Sequence, residues 1–166
     1  MVMRVVNKYS FKNGLELLEK EKPIELSEVL EAIKWANSEK CVDAGLYFPK
    51  ALASEILDRL HSKGWTKPKI PFEKPNNFIE GDGLKNEVGL ELQFGTYSFI
   101  GWDFLGKMAL FGKQGIYKFG IEVVPMASLR RKMSKGVGSF EMMAETLEKK
   151  GNQNLEIPVV LLGIDG

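Results

Sequence analysis

The chain has 166 residues, of which 44% are hydrophobic and 27% are charged, and its formal net charge is +1. These values are ordinary for a soluble globular protein, so we expect residues 1–166 to form a single domain. The sequence also excludes a membrane helix, because no apolar stretch approaches the ~18 residues that a membrane span needs. A nearly neutral chain is also not a typical non-specific nucleic-acid coat protein, although local charges can still serve a DNA enzyme.

Cysteine and histidine are too few for a zinc site. Cys41 is the only cysteine, so no internal disulfide can form, and His61 is the only histidine. We interpret both residues as structural. Residues 1–8 contain no long apolar run and no small-residue cleavage site, so we expect no signal peptide and a cytoplasmic location.

Hydrophobic periodicity predicts helices early in the chain and strands later. A short strand over residues 2–6 is followed by predicted helices over 11–21, 24–37 and 49–63. A strand pair is then expected around 78–94, and an apolar helix over 97–112. The last elements are a strand over 117–125, a helix over 139–150 and a strand over 157–164. This order predicts an α/β fold with a mixed β-sheet flanked by helices.

One segment, residues 80–94, carries a polar pattern on a predicted strand. Side chains alternate between the two faces of a strand. The apolar face, which we expect in the core, comprises Val88, Leu90, Leu92 and Phe94. The opposite face comprises Gly89, Glu91, Gln93 and Gly95, and its glycines leave room for a bulky group to approach the backbone.

Two carboxylates can converge on this segment. Eight residues separate Asp82 from Glu91, and pairing of the strand with the Asp82 segment would bring both side chains together. Phosphodiester hydrolysis uses such a cluster, because Mg²⁺ binds one or two carboxylates and activates water. The pattern alone is common in strands and favours a second interpretation: a hairpin turn at Asp82-Gly83 and a polar face turned to solvent.

The sequence of residues 88–99, VGLELQFGTYSF, resembles the active-site strand of the BglII/BstYI family of type II restriction endonucleases. That family carries an Asp, eight intervening residues and Glu-x-Gln-Phe, a variant of the PD-(D/E)xK nuclease motif with Gln in the usual Lys position. Further similar segments follow the family order: Gly64-Trp65, Ser98-Phe99, and residues 120–126, 133–136 and 158–164. The resemblance therefore covers almost the whole chain.

The resemblance implies a restriction-endonuclease-like fold and an enzyme. The expected activity is Mg²⁺-dependent hydrolysis of double-stranded DNA by a homodimer, at a palindromic site with a central GATC, leaving 5′-phosphate ends and using no nucleotide cofactor. Asp82 and Glu91 would bind the metal, with the Leu92 carbonyl oxygen as a further ligand. Gln93 would orient the attacking water or the scissile phosphate, by hydrogen bonding alone because its amide carries no charge.

Base reading is implied for two loops. The first follows the active-site strand and contains Gly95 and Thr96; the second contains Ser134, Lys135, Gly136 and Ser139. Lys contacts to guanine and Ser or Thr contacts to base edges are chemically reasonable. Thr96 stands where a family member has Lys, and residues 135–138 also depart from it, so the flanking bases stay open. For Thr96 and Ser134, turn and cap chemistry is the alternative interpretation.

Two other functions are compatible with the same fold. One is a sequence-specific DNA-binding protein without catalysis, against which the presence of Asp82, Glu91 and Gln93 argues. The other is a structure-specific repair nuclease. The apolar helix over 97–112 could contribute either to a dimer contact or to the core.

Overall fold

A computed structural model describes residues 2–36, 41–43, 46–94, 102–133 and 136–166, without the side chains of 102–104 and 152–153. The strands are β1 (Arg4–Phe11), β2 (Val42–Asp43), β3 (Leu46–Tyr47), β4 (Lys69–Pro71), β5 (Phe78–Glu80), β6 (Gly83–Lys85), β7 (Val88–Leu92), β8 (Phe119–Pro125) and β9 (Val159–Asp165). The helices are α1 (Gly14–Glu21), α2 (Pro23–Trp35), α3 (Pro49–His61), a π-helix (Trp102–Met108), α4 (Ala109–Lys113), α5 (Ala127–Arg130) and α6 (Phe140–Asn154). None of the helices in the described ranges is long and apolar enough to span a membrane.

The fold is organised by a mixed sheet in the order β1-β9-β8-β7-β6. Strands β7, β8 and β9 run parallel, and the two edge strands run antiparallel to their neighbours. Parallel neighbours need crossover connections, and these are supplied by the helices between β7 and β8 and between β8 and β9. The mixed sheet flanked by helices confirms the predicted α/β fold class.

Both faces of the sheet are covered by apolar residues. Leu90 and Leu92 of β7 belong to a cluster that includes residues of α2 and α3. The opposite face carries a second cluster, which includes Phe111 and Tyr117 as well as residues of α6. Because side chains alternate along each strand, the odd-numbered residues of β7, Gly89 and Glu91, face this second cluster. The polar face of β7 is therefore enclosed.

The ends of several elements differ from the sequence prediction. Strand β1 runs to Phe11, and α1 begins only at Gly14, because Lys12 and Asn13 adopt positive φ angles of 49° and 58° that end the strand. The hairpin turn of β6 and β7 is formed by Asn86-Glu87, with φ angles of 46° and 70°, and not by Asp82-Gly83. Positive φ at both central residues is typical of the hairpin turn whose twist matches that of the strands.

The predicted apolar helix over 97–112 is described only from residue 102. It begins there as the π-helix Trp102–Met108 and continues as α4, which ends at Lys113. Met108 and Phe111 are fully buried in the second cluster. Of the two interpretations, core burial therefore applies to these residues.

Candidate active site

The polar side chains of β7 and of the residue that follows it, Gln93, are buried, not exposed. Glu91 and Gln93 both have 0% relative accessibility. The interpretation of this pattern as a solvent-facing strand surface is therefore wrong, because helices cover both faces of the sheet. A fully buried carboxylate is rare unless it is paired, which directs attention to its neighbours.

Asp82 lies immediately before β6, which pairs antiparallel with β7 and places Gly83 opposite Leu90. Its carboxylate oxygen Oδ2 accepts a hydrogen bond of 2.8 Å from the backbone N–H of Leu92. The preceding residue, Gly81, lies close to the Glu91 carboxylate, since a Cβ atom at Gly81 would lie 3.0 Å from Glu91 Oε1. The pairing of β6 with β7 thus brings the two predicted acids to the same end of the hairpin.

Each carboxylate oxygen of Glu91 has a hydrogen-bond donor. The Lys107 ammonium Nζ lies 2.6 Å from Oε2, and the Tyr117 hydroxyl donates to Oε1 at 3.3 Å. Lys107 extends from the π-helix, and its side chain is only 14% exposed. Both donors follow β7 in the chain, Lys107 in the π-helix and Tyr117 just before β8, and sequence reasoning identified neither.

A third acid lies beside this pair. Glu122 of β8 stands in register with Glu91 on the neighbouring parallel strand and is also 0% exposed. Burial raises the pKa of the Tyr117 hydroxyl well above its usual range, and the negative charges of Glu91, Asp82 and Glu122 raise it further. Three carboxylates therefore act on one hydroxyl. The available sequence signal for Glu122 was a single acid inside the apolar strand 119–125.

Gly89 was expected to leave room for a bulky group, and the group is the Tyr117 ring. A Cβ atom at Gly89 would lie 2.1 Å from Tyr117 Cδ2. The same ring stacks on Phe111, with 4.7 Å between the ring centroids and 20° between the planes. The space beside this glycine is therefore occupied by the protein's own side chain, which fixes the hydroxyl next to Glu91.

The Gln93 side chain is buried, with 0% relative accessibility. Its backbone N–H continues the parallel pairing by donating to the Val123 carbonyl at 2.9 Å. Neither its Oε1 nor its Nε2 atom has a hydrogen-bond partner among the described residues. An unsatisfied buried amide costs about 1–3 kcal/mol, so a Gln side chain at this position is unfavourable for packing alone.

A depression of about 100 Å³ opens beside Asp82. It is lined by Asp82, Leu92 and Phe94 from the sheet and by residues of α3, including Lys50. Asp82 therefore borders the depression beside α3, whereas the Glu91 carboxylate is hydrogen-bonded by Tyr117 of the second cluster. In the described part of the chain, no three acidic, histidine or cysteine residues are grouped so that they could hold a metal ion.

Most of the predicted base-reading residues lie outside the described residues: Gly95, Thr96, Ser134 and Lys135. Gly136 is exposed, with a positive φ of 94°. Ser139 precedes α6 and is 2% exposed, so its hydroxyl does not reach the surface in this structure. Their roles in base reading stay predictions.

Trp65 is a packing residue in this structure. It is buried, and its indole Nε1–H donates a 2.8 Å hydrogen bond to Glu28 Oε2. The same carboxylate receives the Lys85 ammonium at 2.7 Å from Oε1. This network connects α2 to the hairpin that carries the two acids.

Comparison with known proteins supports the resemblance. The crystal structure of free BglII is 19% identical, with a TM-score of 0.69 over 98% of this chain and 79% of that chain. Restriction endonuclease BglII complexed with a DNA 16-mer is also 19% identical, with a TM-score of 0.72 over 100% of this chain and 79% of that chain. A sequence search of curated proteins gave no match.

The 19% identity to these structures establishes only the fold. The family is shown by a comparison of the sequence with a family model. The family model of the restriction endonucleases BglII/BglIII matches residues 6–164. That range includes the paired strands with both acids, the π-helix and the whole central sheet except parts of its edge strand β1 and of β9. The chain belongs to the BglII/BglIII family of restriction endonucleases.

Proposed function

We propose that this chain is a Mg²⁺-dependent type II restriction endonuclease that acts as a homodimer in the cytoplasm. Its substrate would be double-stranded DNA with a palindromic site containing a central GATC, and its products would carry 5′-phosphate ends. No nucleotide cofactor takes part. The observation that carries the proposal is the position of Asp82 and Glu91 at the same end of one hairpin. Gln93 lies next to them, and its side-chain amide has no hydrogen-bond partner among the described residues.

The oxygen ligands that the site offers fit a hard divalent cation. Mg²⁺ prefers oxygen ligands and usually takes only one or two protein carboxylates, keeping several waters. Asp82, Glu91 and the Leu92 carbonyl oxygen would hold it, and a site with two acids does not require the three-acid group that the described residues lack. When bound, Mg²⁺ polarises the phosphoryl oxygen and lowers the pKa of a bound water.

Other residues of the protein would hold these metal-binding oxygens in place. The bond from the Leu92 N–H to Asp82 Oδ2 fixes the rotation of that carboxylate. Lys107 and Tyr117 hold the two oxygens of Glu91. Gln93 would orient the water or the phosphate through its amide, and it cannot remove a proton because the amide is neutral at any relevant pH. Such preorganisation of polar groups away from bulk water is an effective source of catalysis.

The DNA and dimer parts of the proposal rest on the family and on symmetry. A palindromic site has twofold symmetry, which two identical subunits match through one self-complementary contact. The related BglII structure contains a DNA 16-mer, which supports double-stranded DNA as the ligand of this chain. Gly95, Thr96, Ser134, Lys135, Gly136 and Ser139 are proposed to face the bases.

Plasmid digestion tests the proposal. With Mg²⁺, the wild-type protein should give discrete fragments, and sequencing of the fragment ends should show one palindrome with GATC at its centre. Asp82→Asn and Glu91→Gln should abolish cleavage and retain a gel shift. Glu87→Gln is the matched control, because this exposed acid lies at the turn of the same hairpin, and it should cut normally.

The alternatives predict other results. A gel shift without any cleavage by the wild-type protein would indicate a DNA-binding protein that lacks catalysis. Cleavage only at junctions, flaps or mismatches, with no fixed fragments from plasmid, would indicate a repair nuclease. Normal cutting by Asp82→Asn would refute the assigned site.

A further inference from the structure

Lys107 places a positive charge inside the candidate active site. Its ammonium Nζ lies 2.6 Å from Glu91 Oε2, and its side chain is 14% exposed while that of Glu91 is 0% exposed. The π-helix that carries it packs against β7. The next residue, Met108, is fully buried in the apolar cluster on this face of the sheet. Lysine is rarely buried this far unless it is paired, so the pairing is a specific feature of the site.

A buried ion pair of this kind is weak evidence for a stabilising role. Removing two charges from water costs several kcal/mol per ion, and apolar replacements are often as stable as the pair. The π-helical turn points the same way, since such turns occur frequently at functional sites. Lys107 therefore requires an explanation from the chemistry of the carboxylates.

Acidic side chains are concentrated around Glu91. Glu122 is in register with Glu91 on the neighbouring strand, and Asp82 Oδ2 accepts a hydrogen bond from the next backbone N–H, that of Leu92. Like charges in a largely dry site repel each other strongly. The Lys107 ammonium offsets part of that charge at Glu91, and it contacts an oxygen atom that a divalent cation would also use.

We propose that Lys107 is a positioning residue that acts as the resident cation of this site. It holds Glu91 in place before the metal binds, and it limits the affinity of the free protein for divalent metal by competing for Glu91 and by electrostatic repulsion. A DNA phosphate would give the ammonium an anion other than Glu91 to contact, so metal and DNA would favour each other's binding. This inference rests on the proposed nuclease function.

Mn²⁺ binding without DNA tests the inference, with free Mn²⁺ measured by its electron paramagnetic resonance signal. Removal of the ammonium should strengthen binding, so Lys107→Met should bind Mn²⁺ about tenfold more tightly or better, since repulsion and competition both disappear. Lys107→Arg keeps the charge and should bind as the wild type does. The control Lys113→Met removes an exposed lysine from the adjoining helix and should also leave binding unchanged.

The outcomes separate this inference from the proposed function. A folded Lys107→Met protein that binds Mn²⁺ no more tightly than the wild type would overturn the role of Lys107 and leave the nuclease proposal standing. A purely structural lysine would give weaker binding, which would also overturn it. If neither the wild type nor Lys107→Met binds Mn²⁺ at a site that Asp82→Asn removes, both the inference and the proposed function are overturned. Circular dichroism checks folding, and Lys107→Gln replaces Lys107→Met if that variant unfolds.

Discussion

The contact between Gly89 and the Tyr117 ring predicts the effect of adding one methyl group. In Gly89→Ala, the new Cβ atom would lie 2.1–2.3 Å from three atoms of the Tyr117 ring, and real Cβ contacts are not that short. The ring cannot move away freely, because it stacks on Phe111 and its hydroxyl is hydrogen-bonded to Glu91. Overpacking of this kind costs about 1–3 kcal/mol, and we expect the upper end of that range here.

Urea denaturation at fixed protein concentration measures this loss of stability. The same substitution in a protein that lacks the Tyr117 ring tests whether the ring is its cause. Tyr117→Ala removes the ring and should itself cost about 3–5 kcal/mol as a large-to-small change in the core. In that background, Gly89→Ala should be neutral within about 0.5 kcal/mol or stabilising, because alanine restricts the unfolded chain more than glycine does. Equal costs of Gly89→Ala in both backgrounds, or no cost in the wild type, would refute the packing described here.

Three further predictions concern other contacts. Trp65→Phe retains most of the packing but removes the hydrogen bond to Glu28, and should cost about 1–2 kcal/mol in urea denaturation without changing cleavage. Glu87→Gly forms an Asn-Gly turn at two positive-φ positions and should raise stability by about 0.5–1 kcal/mol, seen as a higher melting temperature; a lower one would contradict the turn assignment. Glu122→Gln removes a buried acidic group beside Glu91 and should weaken Mn²⁺ binding without unfolding the protein. Unchanged binding would show that Glu122 does not contribute to the metal site.

Much of the fold could be predicted because its signals are local. Alternation along residues 88–94 predicted the core face of β7, and the apolar run near the end of the chain predicted β9, which has a neighbouring strand on each side. Element ends were less well predicted where single residues decide them. Lys12 and Asn13 take left-handed conformations that no periodicity indicates.

The candidate site was predicted only in part because half of it depends on distant segments. Asp82 and Glu91 lie on one hairpin, so their spacing is visible in the sequence. Glu122 joins them only through the register of two parallel strands, and Lys107 only through the packing of the π-helix on β7. Burial of Glu91 likewise depends on helices that cover both faces of the sheet, which the alternating pattern alone does not reveal.

The most direct measurement of the central claim is the position of a metal in a crystal. Crystals of the protein with a duplex that contains its cleavage site would be soaked in Mn²⁺, and the anomalous signal of manganese would be mapped. We expect a peak bonded to carboxylate oxygens of Asp82 and Glu91 and to the Leu92 carbonyl oxygen. A well-occupied peak elsewhere, with these three groups bound to no metal, would contradict the account.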